Sequence, residues 1–237
     1  MSRISIALTL ALLTPCLGCA HADCKIALDA VEGALVELDA LASQQPESDD
    51  PAVLGEQMSS LGQEFKRQGE GLAATEVENE DNKLSVEAIS GYMVEQGELM
   101  LEAAAATVTL AELMAARDEL RSGLQRAGQA LERECEKDPH ACNIGFAKSM
   151  LESADNGASM MMALKMVREK AEEAAAKSEF SEIDEAAAEL IEAADKNLEH
   201  VSAMLDVEST IDRVAARQEA LSSEIEASVA GLRAYCE

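Results

Sequence analysis

One feature constrains this chain more than any other: an apolar stripe of helical period that runs far beyond the length of an ordinary globular helix. Leu110, Leu113, Leu120, Leu124, Ala127, Leu131 and Cys135 fall at three- and four-residue steps or their sums. Their segment follows the polar, acidic stretch "ATEVENEDNK" and meets no proline before Asp138-Pro139. A second such segment opens at Ser181 and carries Met204, Val207, Ile211, Val214, Leu221, Ile225, Val229, Leu232 and Tyr235. Each spans roughly 55 residues, or about 80 Å at the helical rise. A helix of that length needs a partner along its whole apolar face, because burial and not propensity stabilises it. The expected fold is all-α: an elongated antiparallel bundle with coiled-coil-like packing.

Shorter segments complete the bundle. Leu28, Val31, Leu35 and Leu38 form a first stripe, which "SQQPESDDP" interrupts. Asp50 as cap and Pro51 as first helical residue start a second, with Leu54, Met58, Leu61, Phe65 and Leu72. The two together match a long helix in length and read as one rod broken in two. Asp138-Pro139 should start a further helix running to about Lys177, with Gly157 a weak point. The expectation is four rods in one domain, residues 23–237. Composition agrees: 48% of residues are apolar, yet only Phe65, Phe146, Phe180, Tyr92 and Tyr235 are aromatic, so the core is built of helix-forming Ala, Leu and Met.

Residues 1–22 read as an export signal. Arg3 precedes the apolar run "ISIALTLALL", and Ala20 and Ala22 supply small side chains before Asp23. A lipoprotein reading of "CLGCA" makes Cys19 the acylated residue and a lipid the anchor. Either way the destination is exported, periplasmic or outer-membrane-associated. The stretch Leu99–Ala116 is strongly apolar, but Glu102 and Glu112 interrupt it, which favours a buried helix over a membrane span or an inserting toxin. The formal charge of −27 repels nucleic acid and anionic membrane surfaces.

Removing the signal leaves Cys24, Cys135, Cys142 and Cys236, an even set that implies disulfides in an exported chain. The expected pairs are Cys135–Cys142 across a short turn and Cys24–Cys236 between the two ends of the domain. With four rods, all four cysteines fall at one end of the bundle. The segment "CEKDPHAC" also holds His140, but it lacks the C-x₂-C spacing of zinc sites and the C-x-x-C of redox motifs.

No catalytic constellation is expected. H-E-x-x-H, G-x-S-x-G and D-x-D-x-D-G loops are absent, and "GEG" at Gly69–Gly71 is no phosphate loop. Met150, Met160, Met161, Met162 and Met166 could offer thioethers to copper, yet three consecutive residues on a helix point three ways and suit core filling better. His200 and Met204 share a helix face, without a haem attachment motif or a Glu-x-x-His pair. No cofactor or metal is assigned. The expected function is a non-catalytic envelope protein, acting as a structural spacer or protein-interaction module. Its partner is another envelope protein, contacted through Phe180 and the acidic Glu78, Glu80 and Asp81, which four rods would put at one end. The alternative is a sensor-type bundle with a small ligand or metal between helices near the methionines. Polar residues converging on a pocket there would favour it.

Overall fold

The computed structural model describes residues 22–45, 48–140, 142 and 144–236. The signal segment and the candidate acylated Cys19 lie outside them. The described chain is helical: α1 (Ala22–Gln44), α2 (Pro51–Ala73), α3 (Glu80–Cys135), α4 (Gly145–Ser153), α5 (Gly157–Lys177) and α6 (Ser181–Cys236). No described residue is in a strand. Local chemistry sets the starts. Asp50 Oδ1 accepts from the Ala52 amide at 2.9 Å, with Pro51 next. Asn79 Oδ1 accepts from the amides of Asp81 and Asn82, and Glu80 and Asp81 place negative charge at the positive end of α3.

The chain divides into two compact units. The first comprises α1, α2, α3 up to Thr107, and α6 from Ile211; the second is Val108–Thr210. In the first, α1 and α2 form an antiparallel hairpin. Gln45 Nε2 donates to Gln57 O at 3.1 Å near the turn, and Arg67 on α2 reaches Glu37 on α1 at 3.2 Å. This corrects the expected single broken rod. Two consecutive amphipathic helices joined by a short polar loop bury their stripes most directly against each other. The core holds Val31, Leu38, Ile89 and Met93, none more than 2% exposed. Bidentate Arg217–Glu95 bonds of 2.8 and 2.9 Å tie α6 to α3.

Helix α2 lies very close to α3. Gly55, Gly62 and Gly69 recur every seven residues, and all three are buried. A Cβ on Gly62 would stand 2.8 Å from Gly97 O, and one on Gly97 would stand 2.5 Å from Gly62 O. The backbones touch because neither residue has a side chain. Ser90 Oγ then reaches Gly69 O at 2.8 Å.

In the second unit, the later part of α3 and the earlier part of α6 pack with α4 and α5. Its core is rich in alanine: Ala171, Ala174, Ala187 and Ala194 are fully buried beside Leu131, Leu164 and Ile183. The helix expected from Asp138 to Lys177 is split and starts late. A disulfide between Cys135 and Cys142 holds the chain in a tight turn where Pro139 could have opened a helix. The break falls just before Gly157, where Asn156 and Ser159 exchange capping bonds of 2.9 and 3.1 Å.

Both cysteine pairs join as expected: Cys24 to Cys236 with Cα atoms 5.5 Å apart, and Cys135 to Cys142 at 5.7 Å. Their expected location does not hold. The first pair is in the first unit, where Cys24 Sγ lies 3.8 Å from Asn82 Oδ1 in the first turn of α3. The second is in the other unit, at the last residue of α3. The hairpin is the cause, since it returns the chain to the level of Cys24 before α3 begins.

Helix α3 also contains an 18-residue stretch apolar enough to cross a membrane by length and composition, of mean hydropathy 1.5 and 28% buried. Leu99, Met100, Ala103 and Ala104 are buried in the first unit, as expected for a core helix. Val108 and Met114 in the second unit are exposed, contrary to that expectation. In that unit α3 has no buried residue between 108 and 123, and α6 has none between 201 and 210.

Candidate functional site

The second unit holds a cavity of about 690 Å³, partly open to solvent. That volume falls within the usual range of small-molecule sites. Four pieces of chain form it: α3 from Arg117 to Glu132, α4, the segment leading into α5, and α6 from Leu190 to Glu208. Leu124, Leu151, Val167, Leu190 and Val201 supply apolar wall. Gly157 lets the α5 entry approach α6, since a Cβ there would stand 2.7 Å from a Leu205 methyl.

Polar groups line the cavity from both long helices. Asn197, His200, Met204 and Glu208 follow each other on one face of α6, and Arg117 and Arg121 are one turn apart on α3. Asn197 Nδ2 donates to Ala193 O at 2.8 Å and to Leu120 O at 3.2 Å, so it fixes α6 against α3. His200 is 9% exposed, and its Nε2 is buried without a hydrogen-bond partner among the described residues. Buried polar atoms in folded proteins almost always find a partner, so this nitrogen is conspicuous. Burial, and then the positive charge of Arg117, hold the His200 pKa below its ordinary value, which keeps the ring neutral near pH 7. No family model matches this chain, and no curated protein or solved structure matches it. The chemistry of the site rests on its own side chains.

Each residue singled out in the sequence has a definite place. His200 and Met204 line the cavity together with Met160. The other methionines of the cluster do not: Met162 is 62% exposed, and Met166 packs against the core of the second unit. Among the described residues, no three His, Cys, Asp or Glu side chains stand together as a metal set. His140 is exposed, beside the Cys135–Cys142 turn.

The expected contact end separates into two places. Glu78, Glu80 and Asp81 are exposed at the start of α3 in the first unit, where Asp81 Oδ2 accepts from Tyr235 Oη at 3.4 Å. Phe180 is 42% exposed in the second unit, at the turn into α6, where Glu182 faces Lys137 at 3.9 Å. The hairpin again accounts for the difference. Sequence reasoning passed over Arg117 and Arg121 altogether. Their signal was present: two arginines four residues apart, on one helix face of a chain with 46 acidic and 19 basic side chains.

Proposed function

We propose that this is an exported, non-catalytic helical protein whose second unit binds a small organic ligand. The observation that carries the reading is the cavity of about 690 Å³ with a buried, unpartnered His200 nitrogen on its wall. A cavity that joins apolar wall with polar groups and a histidine of depressed pKa has the ordinary form of a binding site. The disulfides fit an oxidising compartment, and the N-terminal signal pattern supports export to the envelope. The spacer or partner-contact reading has weaker support, since Phe180 and the three acids belong to different units.

Two experiments test this reading. The chain has no tryptophan, so its own fluorescence background is low. The neutral, environment-sensitive dye Nile red should bind the folded protein with one-to-one stoichiometry. Gly128→Trp, which projects an indole into the cavity from α3, should abolish that binding while circular dichroism stays helical. Equal binding by the variant rejects the cavity as a ligand site, as does a parent that binds neither Nile red nor any other apolar probe. Intact mass of the exported protein should show a start at Asp23 or an acylated Cys19, and a retained Met1 rejects the export assignment.

A further inference from the structure

We propose that the cavity of the second unit takes an organic anion, a carboxylate on an apolar body, whose carboxylate is held by Arg117 and Arg121. The inference rests on the cavity being a ligand site. The two arginines lie one turn apart on α3, and both line the cavity. Like charges at that spacing repel, so the pair does not stabilise α3 by itself. Carboxylates abound in this chain, and Lys66, Lys148, Arg168, Arg213, Arg217 and Arg233 each pair with one. Among the described residues, neither Arg117 nor Arg121 has an ion pair. Both residues are exposed, and two guanidinium groups without ion-pair partners on one cavity wall suit a planar carboxylate.

The rest of the lining agrees. Of the cavity carboxylates, Glu132 is held by Lys148 at 3.2 Å, and Asp155 accepts from Asn156 Nδ2 at 2.9 Å. Glu152 on α4 and Glu208 on α6 also line the cavity, and neither pairs with an arginine among the described residues. Leu124, Val167 and Leu190 supply surface for an apolar body. His200, neutral and lacking a partner at Nε2, adds a hydrogen-bonding nitrogen without a third charge. The chain's net charge of −27 repels anions at long range, so affinity must come from these close contacts.

Calorimetric titration of the oxidised, folded protein with octanoate tests the assignment. Octanoate should bind, and 1-octanol, its neutral counterpart, should bind at least about tenfold more weakly. The double variant Arg117→Gln/Arg121→Gln should lose at least about tenfold in octanoate affinity with helicity unchanged. Arg126→Gln removes one charge from α3 outside the cavity and should change affinity by less than about twofold. Arg117→Lys/Arg121→Lys keeps both charges but not the planar fork and should fall between parent and double Gln variant. Octanol binding as tightly as octanoate, or an unaffected double Gln variant, overturns the anion assignment and leaves the ligand-site reading standing. So does Nile red binding with no octanoate binding. Failure of octanoate, octanol and Nile red together overturns both.

Discussion

The two units use the same pair of long helices, yet they pack differently. In the first, α3 and α6 are covered by a hairpin of two 23-residue helices, and α2 reaches the α3 backbone through Gly62 and Gly97. In the second, the cover is a 9-residue and a 21-residue helix, delayed by a disulfide turn and interrupted before Asn156. Where that shorter cover falls away, α3 and α6 keep half-exposed side chains, and the cavity with His200 opens among them. Close packing depends on what lies over a helix as much as on the helix itself. A chain that buries one half of α3 tightly leaves a recess on the other half by supplying less cover.

The largest expected contrast is between the disulfides. Cys24–Cys236 closes a sequence separation of 212 residues, and Cys135–Cys142 one of 7. In the chain-entropy model, replacing the first pair by alanine should cost about 5 kcal/mol and replacing the second about 2.5 kcal/mol. Urea denaturation of each double variant measures this, and equal losses would break the contrast. Gly97→Ala comes next. Its methyl would meet Gly62 O at 2.5 Å and Lys66 N at 2.9 Å, so overpacking of about 1–3 kcal/mol should outweigh the helix-propensity gain of about 1 kcal/mol. A denaturation midpoint at or above that of the parent would show that α2 can move away without loss.

Gly128→Ala is the matched substitution in the second unit and has the opposite sign. Nothing lies within 4 Å of its added Cβ, so the gain of up to about 1 kcal/mol should appear undiminished in the same assay. The smallest effect concerns pH. The His200 pKa is depressed in the folded protein, so unfolded chains take up a proton near pH 6.5 that folded chains resist. That contribution to stability is full above about pH 6.5 and declines as pH falls below it. His200→Gln should therefore flatten the decline between about pH 7.5 and pH 5.5, and an unchanged slope would show that the ring protonates freely.

Periodicity made α3 and α6 legible, with Ser181 and Cys135 near their bounds, and the even cysteine set made both pairings legible. It carries no information on whether the next helix continues or turns back. That is why α1 and α2 read as one rod and Phe180 as a neighbour of Glu80. The glycines at 55, 62 and 69 were a usable clue, because a seven-residue repeat of the smallest residue marks a face meant for another backbone. Asn156 and Ser159 were another, a capping pair in the middle of an expected helix. At Asp138-Pro139 the local start signal was sound, but the Cys135–Cys142 bond overrode it. The cavity had no local signature, since it depends on where α4 ends relative to α3 and α6.

The cysteine pairing also bears on how the molecule matures. Numbered from Cys24, the bonds join first to fourth and second to third, a nested pattern. Under the proposed export, a chain that enters an oxidising compartment from its N-terminus and loses residues 1–22 presents Cys24 first and Cys135 second. Oxidation in order of arrival would join those two, which is wrong. Cys142 follows only seven residues later and can capture Cys135 within its own turn, leaving Cys24 a free thiol while the next 94 residues arrive. Correct maturation therefore depends on the local bond forming fast or on an isomerase repairing the mismatch. Without such a catalyst, the share of correctly paired chains should measure how often Cys142 captures Cys135 before Cys24 does.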